Sequence, residues 1–374
     1  MNKWSRITLS ALIIFQWTAS PVEVSAQETT RQTRQVKFRE FSEIGNEELQ
    51  ALSSDETPKN FIANNQIIAR DGDIRGTAEG EFQLLTKTGG LLWKEPYSYS
   101  VDGPAPKYLV SVSGIVCKVR ADAGTVTFYS QHGGHLGQHV VVPDFSRTLS
   151  GQWSSEGRYF AVTSLDAQER GHYQLLLFDE DGKQLWRHQL QTKFAHEITF
   201  SPLSQWVLIG YNDLVLRKFG ASVFSTRDGA LISDFHSVDP NNTIFSEDGE
   251  MVLVINSQDH LLSLYETASS KKLFESKLSR PIQNVKVFSK NNLIYFLAGE
   301  KTMAPSPQNP AYQRPQLTEL ELTVLDLNGT ILGAIELPSS FETSPNALKI
   351  HPLSSARKII LAVGDKFFAC DLDY

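Results

Sequence analysis

The strongest constraint on the fold is a short phrase that recurs along the 374-residue chain. Its clearest copy has two apolar runs, residues 173–178 and 185–190, joined by Asp181-Gly182. An Asp-Gly pair between two such runs is a strong sequence signal for a β-hairpin. Related copies place a turn residue at Gly89, Gly124, Gly182, Gly229, Ser270 and Gly329. The chain is therefore a series of repeated hairpins.

A second marker runs parallel to the first and consists of an apolar residue, a serine-type turn and an apolar run. Its copies begin at Trp153, Phe200, Phe245 and Phe288, at spacings of 47, 45 and 43 residues. Two turns per unit at this period give four short strands per unit, which is typical of a propeller blade. We therefore predict an all-β fold, a seven-bladed β-propeller of four-stranded antiparallel blades over residues 35–374, with six or eight blades as alternatives.

Closure of the ring is expected to involve both ends of the chain. The last unit stops at Tyr374, where its hairpin turn would fall, so this blade lacks an outer strand. Residues 35–41 alternate briefly between apolar and polar and can supply that strand by pairing with residues 366–371. Such pairing closes the ring and removes an exposed sheet edge.

Two known groups of propellers resemble this sequence. Phe245-Ser246-Glu247-Asp248-Gly249 and the apolar run after it resemble the first hairpin of tryptophan-aspartate (WD) repeats. Residues 178–186 are similar to the turn of quinoprotein-type propellers, and so are Gly89 and Trp93. The resemblance covers residues 61–374 and implies the fold. It implies no activity, because such propellers share few activities.

The first 26 residues have the features of a secretory signal peptide. Lys3 and Arg6 precede an apolar run at residues 7–17, and small residues follow at 24–26. That run is too short to span a bilayer, although an N-terminal membrane anchor is the alternative. Residues 27–34 are polar and predict a flexible lead-in. We expect an exported protein, periplasmic or secreted, with no transmembrane segment in the mature chain.

The candidate binding residues follow from the order of strands in a blade. Connections between blades and those between second and third strands lie on one face, here called the loop face. The two tight turns of each blade lie on the opposite face, here called the hairpin face. We assign to the loop face a partner-binding set that includes the proline-rich loop insertion 301–318. Its members are His132, His135, His139, Arg170, His172, His196, His236, His260, Tyr312 and Arg314.

Each part of this set has a plainer alternative. WD-type repeats carry a structural histidine between blades, and His196 and His236 lie near that position. The insertion can equally be a solvated, poorly ordered bulge. Three imidazoles between His132 and His139 can ligate zinc or copper, but a glycine-rich loop orders ligands poorly. We therefore predict no metal site there and no cofactor.

The remaining chemistry favours a protein without catalytic activity. Cys117 and Cys370 are assigned to the third strands of blades that are not neighbours, so we predict no disulfide. The sequence has no nucleophile elbow, zinc-protease motif or phosphate-binding glycine loop. A net charge of −7 makes nucleic acid and anionic membrane surfaces poor partners.

The sequence thus predicts a monomeric scaffold that binds another protein or an extracellular polymer. The alternative is a propeller enzyme of the lactonase, cyclase or quinoprotein kind, with a metal or quinone in its central channel.

Overall fold

The structure is a computed structural model of the chain, and every described residue belongs to the compact unit Gln35–Tyr374. The signal peptide and lead-in predicted at residues 1–34 lie outside the described residues. Those residues are 36–39, 41–44, 61–70, 77–100, 103–141, 149–165, 172–240, 243–256, 258–288, 291–305, 312–339, 348–353, 358–363 and 366–373.

Seven antiparallel sheets follow one another along this unit. Two short strands come first, β1 (Lys37–Phe38) and β2 (Ser42–Ile44). The first sheet contains β3 (Phe61–Arg70), β4 (Thr77–Thr86) and β5 (Leu91–Ser100). The second contains β6 (Lys107–Val110), β7 (Val116–Arg120), β8 (Thr125–Tyr129) and β9 (His135–Val140). The third contains β10 (Ser150–Trp153), β11 (Tyr159–Leu165), β12 (Tyr173–Asp179) and β13 (Gln184–Gln191).

The later sheets repeat the same order. The fourth contains β14 (Lys193–Phe200), β15 (Trp206–Asp213), β16 (Lys218–Ser225) and β17 (Leu231–His236). The fifth contains β18 (Ile244–Phe245), β19 (Met251–Asn256), β20 (Leu261–Glu266) and β21 (Lys272–Lys277). The sixth contains β22 (Ile282–Phe288), β23 (Leu293–Pro305), β24 (Gln313–Asp326) and β25 (Ile331–Glu336). The last contains β26 (Leu348–Leu353), β27 (Lys358–Val363) and β28 (Lys366–Asp373).

The arrangement of these sheets confirms the predicted β-propeller. The first strands of neighbouring sheets contact one another, as β6 does with β10 and β10 with β14. The same contact joins β18 to β22 and β22 to β26. Within the described part of the first sheet, a strand equivalent to β6 is not seen, and the sheet has three strands.

The hairpin between third and fourth strands has the geometry that its sequence predicts. Gly182 adopts a left-handed φ of +79°, and its N–H donates to the Asp179 carbonyl over 3.1 Å. The Asp179 carboxylate accepts from the backbone N–H of Asp181 and Lys183 at 3.1 and 2.8 Å. A shift of register next to this turn recurs in six of the sheets. The predicted turn role of Asp179 is confirmed.

Aromatic residues of one blade pack on the turn glycines of the next. Trp186 on β13 lies against Gly229, where an added Cβ would meet the indole ring at 2.8 Å. The Trp186 indole N–H also donates to the Thr226 carbonyl of the same turn, over 2.8 Å. Trp93 covers Gly133 with its ring, at 3.1 Å from an added Cβ, but its buried indole N–H finds no hydrogen-bond partner among the described residues. The prediction that Trp93 and Trp186 pack between blades is therefore confirmed.

The core lies between neighbouring sheets and not in one central mass. Strand β19 shows why, because both of its faces are buried. Leu253 and Ile255 pack towards the sixth sheet, whereas Val252 and Val254 pack towards the fourth. A continuous apolar run is the pattern expected for a strand covered on both sides.

The predicted turn assignment of the second sheet is wrong. Gly124 lies between the second and third strands, β7 and β8, and not between the third and fourth. The third-to-fourth turn is formed by residues 130–134, with Gly133 at a φ of +80°. Cys117 consequently lies in a second strand, while Cys370 lies in a third strand as predicted. Both cysteines are buried and free.

Closure of the ring uses two short strands instead of one. Lys37 and Phe38 pair with Asp373 and Leu372, and Ser42 to Ile44 pair with Ala369 to Phe367. Of the described residues in the predicted strand 35–41, Lys37 and Phe38 form a strand, and they pair with residues 372–373 and not with 366–371. Strand β2, which pairs with residues 367–369, lies beyond the predicted bounds. The last sheet gains its outer edge from the N-terminal segment.

The insertion at 301–318 is a β-ribbon and not the predicted loop. Strands β23 and β24 extend beyond the blade, with Met303 opposite Pro315 and Pro305 opposite Gln313. Residues 306–311 between them lie outside the described residues. The ribbon nevertheless connects second and third strands, which is where the sequence placed it.

Candidate functional site

A groove of about 640 Å³ lies on the hairpin face of the fourth sheet. Three turns enclose it: the first tight turns of the third and fourth sheets and the second tight turn of the fourth. The lining residues that matter for binding are Arg158, Tyr159, Leu203, Ser204, Trp206 and Arg227. We call this feature the hairpin groove.

The floor of the hairpin groove is held by hydrogen bonds between its turns. The Thr226 hydroxyl donates to the carbonyls of Ser204 and Gln205 at 2.8 and 2.9 Å. The Ser201 hydroxyl accepts the backbone N–H of Trp206 at 3.0 Å. Ser204 has a left-handed φ of +57°, which fixes the sharp turn beneath the groove. A partner would therefore meet a surface that is already ordered.

The groove combines apolar, aromatic and cationic side chains. Leu203 is 52% exposed, and Trp206 and Tyr159 are half-buried beside it. Arg158 is exposed and forms an ion pair with Glu156 at 3.2 Å. The Ser204 hydroxyl is buried and finds no hydrogen-bond partner among the described residues. These groups can bind a polar ligand but do not form a set of acid, base and nucleophile.

On the loop face, the fourth sheet holds a network of buried polar groups. The Asp234 carboxylate accepts from the hydroxyls of Tyr211 and Ser222, both at 2.8 Å, and pairs with Lys193. Burial alone would raise the pKa of Asp234, but the bonds from Lys193, Tyr211 and Ser222 outweigh it and lower that pKa. The same burial raises the pKa of Tyr211. The network keeps Asp234 ionised and engaged.

His236 joins this network instead of projecting freely from a connection between blades. It is the last residue of β17, and its Nδ1 lies 2.9 Å from the Tyr211 hydroxyl. A cleft of about 260 Å³ beside it is lined by Asp234, Ser263 and Glu275. Glu275 is paired with Lys272 at 2.6 Å. Both carboxylates therefore already have cationic partners, and the His236 imidazole is the remaining basic group in the described lining of the cleft.

The three histidines of residues 132–139 are not on a connection between blades, so that prediction is wrong. His132 lies in the turn after β8, on the hairpin face, and His135 and His139 lie on the outer strand β9. The misplaced turn at Gly124 is the reason. The His139 ring packs on Phe178 at 4.6 Å, and its Nε2 meets the Gly182 carbonyl. The imidazoles therefore have separate surroundings.

The other predicted residues are dispersed over the loop face. His196 lies within β14 and not on a connection between blades, so its predicted position is wrong; burial lowers its pKa, and its ring meets Phe219 edge-on. His172 and His260 lie between second and third strands, as predicted. Tyr312 and Arg314 are exposed on the ribbon. Arg170 lies outside the described residues.

The sequence analysis missed the residues of the hairpin groove. The marker turns at Trp153 and Phe200 were used only to count blades, although their last positions carry Arg158 and Trp206. The sequence did contain a signal for these residues. The copies of the repeated turn differ from one another at positions that have no structural role in the turn. Arg227 is one such position, since it lies inside a turn whose glycine and threonine are structural.

Among the described residues, no group of three or more His, Cys, Asp or Glu side chains is placed to hold a metal ion. Within the same part of the chain, no helical segment has the length and hydropathy needed to cross a bilayer.

The fold and its repeats define a β-propeller. Solved structures of similar fold include a eukaryotic initiation factor, with 12% identity over 70% of this chain and 62% of that chain, at a TM-score of 0.48. They also include BamB from Moraxella catarrhalis, with 11% identity, 90% and 97% coverage and a TM-score of 0.47. A third is the dihydro-heme d1 dehydrogenase NirN in complex with DHE, with 14% identity, 83% and 60% coverage and a TM-score of 0.46.

The chain spans less than two thirds of the initiation factor and of the dehydrogenase. Comparison with protein-family models and with curated proteins gives no match. At these identities the structural likeness is one of fold, and it carries no argument about activity or partners.

Proposed function

We propose that this protein is a non-catalytic binding scaffold that docks a segment of another protein in the hairpin groove. The observation that carries the proposal is the composition of the groove rim. Trp206, Tyr159 and Leu203 lie beside Arg158 and Arg227 on turns fixed by hydrogen bonds. Tryptophan, tyrosine and arginine are the residue types that most often carry binding energy at protein interfaces.

The dimensions and charges of the groove describe its occupant. A volume of about 640 Å³ accommodates a few side chains of an extended segment and not a folded domain. The guanidinium groups of Arg158 and Arg227 can bind a carboxylate on the partner, which would compete with Glu156 for Arg158 and with the lining residue Asp228 for Arg227. Leu203 and Trp206 favour an apolar side chain next to that carboxylate. Because the turns are already ordered, binding costs little conformational entropy on this side.

We also propose, separately from the groove, that the loop face binds a partner as the sequence predicts. His172, His260, Tyr312 and Arg314 share that face with the β-ribbon, so partners can also be tested there. We further propose that the chain acts after export and as a monomer. The pattern of residues 1–26 supports the export, and pairing of the chain ends supports the monomer, because β1 and β2 cover the edge of β28 that would otherwise be open to a second copy.

Capture of partners from the native envelope fraction tests the proposal. The bait is the mature chain, and the groove variant is Leu203→Ala with Arg158→Ala and Arg227→Ala. These side chains are exposed or half-exposed, so we expect the free energy of unfolding to change by about 0.5 kcal/mol per site at most. The matched loop-face variant is Tyr312→Ala with Arg314→Ala.

We expect the groove variant to lose capture of a reproducibly recovered protein by about tenfold, while the loop-face variant retains it. Loss of capture only in the loop-face variant would assign binding to the predicted loop face and reject the groove. Unchanged capture by both variants would reject both surfaces. Thermal melting of each variant confirms that the propeller is intact.

A further inference from the structure

The connection between β15 and β16 carries an exposed apolar projection on the loop face. Leu214, Val215 and Leu216 are 51%, 70% and 57% exposed, and Phe219 just beyond the turn is 55% exposed. Two cationic residues, Arg217 and Lys218, complete the segment. We call residues 214–219 the apolar tip. A turn of this kind is ordinarily polar, so three successive aliphatic residues at its end need a reason.

The apolar tip is ordered. The Asp213 carboxylate accepts the backbone N–H groups of Val215 and Leu216, each at 2.9 Å. The Leu214 N–H donates to the Thr192 carbonyl at 3.2 Å, which anchors the turn to the start of the sheet. Arg217 takes a left-handed φ of +52°, which completes the turn. The aliphatic side chains are therefore held outward by the backbone.

Its shape and charge select the kind of partner. The tip is exposed over residues 214–219 and bears cations beside the apolar side chains, and its acidic neighbour Asp213 is only 6% exposed and already hydrogen-bonded. Apolar side chains flanked by Lys and Arg match the boundary between acyl chains and anionic headgroups. We propose that the apolar tip inserts into the surface of an anionic lipid bilayer and docks the loop face there.

Other exposed groups on the same face extend the contact. Met303 and Tyr312 of the β-ribbon are 58% and 69% exposed, and tyrosine is enriched at membrane interfaces. The net charge of −7 opposes binding to anionic lipid, so attachment depends on the local cations at the tip. This leaves the hairpin groove on the opposite face open to a protein partner.

Flotation with vesicles tests this inference on the mature chain. One set of vesicles contains phosphatidylglycerol in phosphatidylcholine, and the other contains phosphatidylcholine alone. The apolar variant is Leu214→Ser with Val215→Ser and Leu216→Ser, and the charge variant is Arg217→Gln with Lys218→Gln. The matched control is Leu231→Ser with Ile331→Ser, which removes exposed aliphatic side chains of similar exposure from the hairpin face.

We expect the wild-type chain to float with phosphatidylglycerol vesicles. The apolar variant should bind at least about tenfold more weakly, and the charge variant should lose about fivefold for each cation. The control should bind like the wild type. In addition, Val215→Trp should give fluorescence that brominated lipid quenches, a signal that does not depend on a loss of binding.

Three results would overturn the proposal. The first is the absence of wild-type flotation with either set of vesicles, and the second is equal binding by the apolar variant and the control. The third combines two observations: the wild type does not bind vesicles, and the apolar variant loses a protein partner or loses self-association. That result would mean that the tip binds a protein and not a membrane.

Discussion

Packing of Trp186 on Gly229 predicts a specific cost for adding one methyl group. Gly229 has a left-handed φ of +72°, and a Cβ there would approach the Trp186 ring at 2.8 Å. Gly89 occupies the equivalent turn of the first sheet with a φ of +87°, but nothing lies within 4 Å of its Cβ position. Both Gly→Ala variants therefore place an alanine in the left-handed region. Only the alanine at position 229 would also collide with a side chain of the neighbouring blade.

The magnitudes separate these two contributions. An alanine in the left-handed region costs about 1–2 kcal/mol. Reduced entropy of the unfolded chain offsets about 0.4–1 kcal/mol of this, so Gly89→Ala should destabilise by about 1.6 kcal/mol at most. At Gly229 the indole must also move, which adds about 1–3 kcal/mol of overpacking and strains the bond from Trp186 to Thr226. We expect Gly229→Ala to lose about 2–4 kcal/mol.

Equilibrium urea unfolding followed by circular dichroism measures both variants. A double-mutant cycle isolates the contact, because in a Trp186→Ala background Gly229→Ala should cost no more than Gly89→Ala. Equal destabilisation by the two Gly→Ala variants in the wild-type background would refute the reasoning. An unchanged cost of Gly229→Ala when Trp186 is absent would do the same.

Three further predictions concern closure, thiols and pH. A chain that begins at residue 46 lacks β1 and β2, so it should unfold at a clearly lower temperature, and an unchanged melting curve would contradict the closure. Burial raises the pKa of Cys370 to about 11 and raises that of Cys117 as well, so Ellman's reagent near pH 8 should find two thiols only after denaturation. The backbone N–H groups of Leu216 and Val215 lower the pKa of Asp213 below its ordinary value of 3.8. The ionised carboxylate therefore stabilises the folded state above pH 3.8, and this stabilisation is lost as the pH falls through the lowered pKa of the folded state. The stability gap between wild type and Asp213→Asn should therefore narrow below about pH 4 in thermal melts, and a gap that widens there would contradict the assignment.

The architecture could be predicted from sequence because each turn carries local chemistry. Asp179, Gly182 and Trp186 specify a turn, a left-handed position and an inter-blade contact within eight residues. Such signals need no knowledge of distant residues. The repeat then supplies the count of blades, and pairing of the chain ends follows from the missing strand.

The second sheet shows where this reasoning fails. Gly124 and Gly133 both lie in turns with positive φ, so each satisfies the local pattern. Only a contact with the neighbouring blade distinguishes the two turns, because Trp93 of that blade covers Gly133. That contact joins residues far apart in sequence, so the sequence pattern could not reveal it. Gly124 was therefore assigned to the wrong turn, and His132, His135 and His139 were predicted in the wrong part of the blade.

Candidate sites were harder to predict than elements. Pro305 and Pro315 lie in the long paired strands of the ribbon instead of in a loop. The hairpin groove arises where turns from two sheets meet, and Arg158 and Arg227 are 69 positions apart in the sequence. The pairing of His236 with Tyr211 also depends on strand register. Surface features built from several blades leave no continuous pattern in the chain.

Pairing of both chain ends in the last sheet has a consequence for how the molecule folds. Arg39 and Asp373 meet across a sequence separation of 334 residues. Contacts of this range form late, because the entropy of closing so long a loop must be overcome before they give any stabilisation. The segment synthesised first must therefore wait for the segment synthesised last. We expect folding to finish in a slow step once β28 has been synthesised and released, and a nascent chain cut short before β28 should remain open and sensitive to protease.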